Sequence, residues 1–246
     1  MTEETKEEID YEIMPEDTPI HDISFKLIAI GDPGVGKSCL TMKATKNIFE
    51  NDYSPTIGFE FYTFIIKIKE KIIRLQIWDT CGQEVYRSLI NSFFRNSSLA
   101  ILIYGINNLK SFKNLEFWLN DIKMNSNPDI KIFLVGNKKD LEEKREVPID
   151  KAKTFYKEHN LHYFLETSAK TGFNVQKLLI RAAIVLYEES KNLEMKTSMV
   201  KNKNENNNNT NSINNNNTND NTIKLTQEND TEADLNDKPV KRNNCC

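Results

Sequence analysis

Short apolar runs alternate along this chain with longer stretches whose apolar residues recur every third or fourth position. The runs Phe25–Ile30, Phe59–Ile68, Ile72–Trp78, Leu99–Tyr104, Ile130–Val135 and His162–Leu165 have the length and the β-branched and aromatic content of strands. A short charged turn separates the second run from the third, which predicts a hairpin. Helix-length segments separate the others, which predicts βαβ units and a parallel sheet. Helical periodicity marks Lys37–Ile48, Ser111–Ser126, Asp150–Glu158 and Asn174–Ser190, with Ser111 and Asp150 placed as N-caps. In the last of these, Val175, Leu178, Leu179, Ala182, Ala183, Val185 and Leu186 gather near one face. The expectation is an α/β domain with a six-stranded mixed, mostly parallel sheet and helices on both faces.

Composition divides the 246 residues into three parts. Residues 1–22 hold nine acids against Lys6, about −8, and read as an acidic, disordered arm, with folding back on the basic core as the alternative. Residues 192–246 carry about −1, and 13 of the 22 residues from Lys201 to Thr222 are asparagine. Such a tract buries too little apolar surface to offset chain entropy, so this tail is expected to be disordered. With a whole-chain charge of −3, residues 23–191 carry about +6. That charge is too small and too scattered to predict a nucleic-acid partner. The longest apolar run, Leu99–Ile106, falls well short of the roughly 18 residues of a bilayer span. The acidic start carries no secretory or transit pattern, which predicts a cytosolic chain. Cys39 and Cys81 are isolated, with neither disulfide nor metal spacing. His21, His159 and His162 stand outside every motif and read as solvent-facing or structural.

Directly after the first run comes Gly31-Asp32-Pro33-Gly34-Val35-Gly36-Lys37-Ser38. This is a phosphate-loop pattern, G-x-x-x-x-G-K-[ST], with a strand before it and a helix after it. Glycines allow a tight turn whose successive N–H groups converge on phosphate oxygens, and the helix adds its positive end. Lys37 can reach the outer phosphates and Ser38 can hold Mg²⁺. The loop alone points to a nucleoside triphosphate without naming its base.

Two later segments name it. Asn137-Lys138-Lys139-Asp140 follows Ile130–Val135 at the carboxyl edge, where α/β sheets bind ligands. The Asp140 carboxylate can accept paired hydrogen bonds from the N1–H and exocyclic amine of guanine, a donor pair that adenine does not present. Glu166-Thr167-Ser168-Ala169-Lys170 also follows a strand, and its backbone N–H groups can meet a base oxygen.

Over residues 25–190 the order and spacing of these motifs resemble the Ras-like small GTPases. The resemblance implies a P-loop G domain that binds GTP or GDP with Mg²⁺ and hydrolyses GTP. It places Gly34, Val35, Gly36, Lys37, Ser38 and Cys39 around the phosphates. Asn137, Lys138, Asp140, Ser168, Ala169 and Lys170 surround the base, with Phe49 stacked on it. Ser38, Thr56 and Asp79 are implied at Mg²⁺, Gly82 at the γ-phosphate, and Gln83 orients the attacking water, with Lys37 beside it stabilising charge. Exchange factors, activating proteins that lend an arginine finger, and effectors at two switch segments are the implied partners of a monomer.

Shorter stretches resemble the Rab branch: Ile57-Gly58-Phe59-Glu60-Phe61, Leu75–Glu84 and Phe93-Phe94-Arg95-Asn96. Glu158-His159-Asn160-Leu161, leading into Glu166–Thr171, resembles the endoplasmic-reticulum-to-Golgi and endosomal Rabs. The ending Asn243-Asn244-Cys245-Cys246 resembles the paired cysteines that Rabs have geranylgeranylated. Two lipids anchor stably where one binds marginally. This implies a role in vesicle traffic, on the cytoplasmic face of Golgi, endosomal or endoplasmic-reticulum membranes, with a cytosolic pool held by a GDP-dissociation inhibitor. The chain departs from the pattern at Pro33, Cys81, Val85-Tyr86 and Gly105. Pro33 removes an N–H and fixes φ beside the γ-phosphate, so a GTP-binding module with very slow turnover is the alternative. A soluble small GTPase working away from membranes is another.

Overall fold

The computed structural model describes residues 9–50, 58–80 and 93–210, with side chains through residue 196. Among the described residues seven strands form one sheet, one more than expected: β1 (Tyr11–Met14), β2 (Ile23–Ile30), β3 (Phe59–Ile68), β4 (Lys71–Thr80), β5 (Leu99–Gly105), β6 (Lys131–Asn137) and β7 (Tyr163–Glu166). Their order is β1-β3-β4-β2-β5-β6-β7. The pairs β1–β3 and β3–β4 are antiparallel, and the other four pairs are parallel. The β3–β4 hairpin turns at Lys69-Glu70, with Lys69 at φ 54°.

The helices are α1 (Lys37–Lys46), α2 (Leu109–Lys113), α3 (Leu115–Asn125), α4 (Ile149–Glu158) and α5 (Val175–Thr210). Two apolar clusters, one on each sheet face, explain the strand compositions. Leu27, Ile73, Leu75, Ile77 and Ile101 pack beneath α1 and α5, with Leu40 and Leu178. Ile28, Leu102, Leu134 and Tyr104 pack beneath α2, α3 and α4, with Trp118 and Phe155. Every residue of β5 is buried, which is why it reads as an unbroken apolar run.

The structure corrects the acidic arm. Tyr11–Met14 pair with Ile65–Ile68 as an edge strand, so part of the arm folds back on the core in place of the disorder expected over residues 1–22. Glu12 stands opposite Lys67, and an opposite-charge cross-strand pair favours this addition. Arg74 Nη2 donates to Thr18 O (3.3 Å), and the Asp22 carboxylate accepts from Ile72 N (2.8 Å). Residues 1–8 lie outside the described residues.

The helical segment expected at 111–126 is two helices, and Asn108 rather than Ser111 is the N-cap. Its side chain accepts from Ser111 N (3.0 Å). Pro148, not Asp150, is the N-cap of α4, at φ −60° and ψ 139° and with no side-chain cap hydrogen bond. The chain divides into residues 1–198 and 199–246. Helical backbone continues from residue 191 to Thr210, where composition predicts disorder. Extending a formed helix costs far less than starting one, which is how asparagine-rich residues are carried in helical form.

Candidate functional site

The parallel register sets one end of the sheet as the site. Ala29 lies beside Asp79, Gly105 beside Asn137, and Gly136 beside Glu166. The loops after β2, β4, β6 and β7 therefore leave the sheet at one edge. The loop after β2 approaches β5 so closely that a Cβ on Gly31 would lie 2.1 Å from Ile103 O. Gly36, at φ 91°, faces the Asn137 amide, and a Cβ there would lie 2.6 Å from Nδ2. Both positions need glycine.

Lys37 is 5% exposed and folds back over its own loop. Its ammonium donates to Gly31 O (2.9 Å) and Asp32 O (3.0 Å), so the charge is fixed at the loop's centre. Asp79 lies at the end of β4, fully buried, and neither carboxylate oxygen has a well-formed hydrogen bond. Burial pushes its pKa up to about 6, while Ser38 and Lys37 pull it down and Glu60 adds to the rise. A buried, underbonded carboxylate beside a serine hydroxyl suits a hard divalent cation that takes oxygen ligands. The residues present fit Mg²⁺, with Ser38 and Asp79 able to hold it. Thr56, Cys81, Gly82, Gln83 and Val85-Tyr86 lie outside the described residues.

Asn137 joins three segments while only 1% exposed. Its Nδ2 donates to Val35 O (3.0 Å) and Gly36 O (3.3 Å), and its Oδ1 accepts from Thr167 Oγ1 (3.2 Å) and Ala169 N (3.3 Å). Lys138, at φ 68°, lays its ammonium on Gly34 O (2.5 Å). Asp140 Oδ1 accepts from Ser168 Oγ (2.6 Å), which orients the carboxylate. Gly34, Gly36, Cys39, Phe49, Asn137, Lys138, Asp140, Ala169 and Lys170 are among the residues lining one cavity of about 350 Å³. Phe49 is half-buried at its wall. Burial raises the Cys39 thiol pKa, keeping it protonated.

One expectation changes in detail. The N–H of Ser168 donates to Phe173 O (3.0 Å) and that of Ala169 to Asn137 Oδ1. These two donors hold the loop itself, in place of the open N–H row the sequence suggests.

Several residues at this edge carry no motif signal. Arg145 grips Glu166 with two hydrogen bonds (2.7 and 2.8 Å) and also holds Glu142 and Val147 O. Lys139 reaches Glu142 (2.6 Å) and Glu166 (3.1 Å). Arg145 and Lys139 hold the Glu142 carboxyl far down, at a pKa of about 2. This network ties the loop after β6 to the loop after β7. The Asp32 side chain leaves the phosphate loop altogether and meets Trp118 and Asn114. In the sequence, only the 21-residue spacing of opposite charges from Arg145 to Glu166 is visible, and spacing of that length carries no contact information.

Glu60 and Tyr62 lie on the strand beside Asp79, with their side chains hydrogen-bonded to each other. The histidines His159 and His162 stay away from the cavity: His162 Nδ1 accepts from Ile132 N (3.1 Å), and His159 stacks on Phe155. Residues 26–188 match the family model described as the Ras family.

Proposed function

The chain belongs to the Ras family, whose members are small GTPase switches, and from that premise we propose that it is a Rab-type GTPase. It would bind GTP or GDP in the cavity between Gly34, Phe49, Asp140 and Lys170, hydrolyse GTP, and recruit effectors in vesicle traffic. The observation that carries the nucleotide reading is Asn137. One buried amide joins the phosphate loop to the base-facing loop, so base and phosphates are held by a single connected frame.

The chemistry follows from positions. Lys37 offers fixed positive charge to outer phosphate oxygens. Mg²⁺, when bound by Ser38, Asp79 and Thr56, supplies further charge neutralisation. Gln83 orients water by the family resemblance. Asp140, oriented by Ser168, reads the guanine edge, and leaving it unpaired would penalise adenine. Members of the family are served by exchange factors, activating proteins and effectors.

The Rab reading draws on the sequence stretches around Phe59, Trp78 and Phe93 and on their arrangement. Phe59 (51% exposed) and Phe61 (48% exposed) cluster on Trp78, with ring centroids 5.5 and 5.2 Å away. Phe93 closes the group at 4.6 Å from Phe59. An exposed aromatic cluster on β3 and β4 suits a partner protein. Cys245 and Cys246 lie outside the described residues, and their double geranylgeranylation is part of this proposal, as are the intracellular membrane location and the GDP-dissociation inhibitor.

Single-turnover hydrolysis of bound GTP, with and without Gln83→Leu, tests the enzyme. Wild type should turn over measurably faster, and equal slowness would favour the slow-turnover alternative that Pro33 motivates. Imaging of Cys245→Ser/Cys246→Ser tests the location, and unchanged localisation would sink the membrane reading.

A further inference from the structure

Asp32 is the second residue of the phosphate loop, and its carboxylate faces helices rather than the nucleotide. One oxygen accepts from Trp118 Nε1 and the other from Asn114 Nδ2, each at 2.7 Å. These partners are 86 and 82 positions away in sequence. Asn114 stands at the junction of α2 and α3, and Trp118 is 3% exposed within the core of that face. Both bonds are charge-assisted and at the short end of their range. The main-chain carbonyl of the same residue accepts from the Lys37 ammonium, as Gly31 O does. Side chain and carbonyl therefore link α3 to Lys37 through a single residue.

We propose that Asp32 is a positioning residue for Lys37, with Trp118 and Asn114 as the anchors that fix it. This deepens the nucleotide reading above and rests on it. The loop leaves the sheet with Asp32 half-buried and Pro33 and Gly34 exposed, and it lacks the N–H that Pro33 cannot supply. Its side-chain link to the α2–α3 face runs through the Asp32 carboxylate. Without that tether the Asp32 carbonyl turns more easily, and the lysine loses an acceptor that aims it. Contacts to outer phosphates suffer first, because Lys37 reaches those and not the base.

The predicted signature is a selective loss. In Asp32→Asn the charge is lost, and the Asn114 amide either faces the new N–H₂ donor against donor or has to turn over to accept from it. GDP affinity should fall about tenfold, the scale of one charge-assisted hydrogen bond. Affinity for GMP, which presents no outer phosphate to Lys37, should hold within about twofold. The exchanged pair Asp32→Asn/Asn114→Asp restores complementarity. The amide now at position 32 accepts from Trp118 and donates to the new carboxylate at position 114, and GDP affinity should return to within about threefold of wild type. Trp118→Phe keeps an aromatic ring and drops the N–H, so it gives a milder loss with the same GDP-over-GMP selectivity. Competition against a fluorescent GDP analogue on the full chain measures all of these. Equal losses for GDP and GMP, or no recovery in the exchanged pair, would overturn the proposal by showing a general loosening of the fold. Failure of the underlying reading would show separately, as GDP binding that Lys37→Ala leaves intact.

Discussion

Replacing Arg145 by methionine tests whether the base-facing loops are held by charge or by packing. Arg145 is 15% and Glu166 6% exposed at the side chain, and two hydrogen bonds of 2.7 and 2.8 Å join them. Removing one partner of a buried pair typically costs about 3–5 kcal/mol, because the other charge is stranded. Here Lys139 Nζ still stands 3.1 Å from Glu166, so part of that charge stays compensated and about 2 kcal/mol is the better figure. The exposed Glu142 contact adds little, since surface pairs are worth about 0–1 kcal/mol. For a domain of this size, each kcal/mol moves the midpoint by about 2–4 °C, so Arg145→Met should melt about 4–8 °C lower. Circular dichroism at fixed GDP and Mg²⁺ concentrations reads this. The drop should survive about 1 M salt, which screens surface pairs and leaves buried ones largely untouched. Arg145→Met/Glu166→Leu should regain most of the loss, since two apolar groups leave no stranded charge. A midpoint within about 1 °C of wild type, or a drop that vanishes in salt, would refute the reasoning.

Gly36→Ala places a Cβ 2.6 Å from Asn137 Nδ2 at φ 91°, and binding of a fluorescent GDP analogue should fall at least about a hundredfold, a strain-plus-clash cost near ~3 kcal/mol. His162 takes the Ile132 N–H on Nδ1, and burial of that ring, with Lys131 nearby, lowers its pKa from 6.5. The unfolded chain thus binds the proton more readily. The stabilisation is present above pH 6.5 and declines as pH falls towards the lowered folded value. Urea midpoints from about pH 7.5 to about pH 5, against His162→Gln, check this, and identical slopes would count against it. Deleting residues 1–17 removes β1, uncovering Ile65, which is 1% exposed opposite Met14. A loss of about 1–2 kcal/mol in urea unfolding is expected from partial re-exposure of one isoleucine and its edge, and no change would show that the strand adds nothing to stability.

The fold class is legible in the sequence because the strand runs are strong and their spacers helix-sized. Phe59–Ile68 has the bounds the alternation predicts, and β5 is visible as an unbroken apolar run. The motif residues converge for a related reason. Most sit at or just beyond the carboxyl end of a strand, and parallel pairing brings those ends together. The errors fall where local rules compete. Tyr11–Met14 looks like part of an acidic tail because its partner, Ile65–Ile68, is about 50 residues further along the chain. Ser111 resembles an N-cap, yet Asn108 accepts a hydrogen bond from its N–H. The roles of Asp32, Arg145 and Glu166 escape any pattern, because each acts through a partner that only tertiary structure supplies.

Asn137 has a kinetic meaning as well as a geometric one. Its four hydrogen bonds span the phosphate loop and the loop after β7, so neither can relax while the amide keeps its place. A bound nucleotide would then leave by one concerted loosening of both loops rather than by releasing its base first and its phosphates later. Spontaneous escape would then cross one shared barrier instead of two separate ones. A catalyst of exchange needs to dislodge only one side chain's worth of contacts to lower the whole of it.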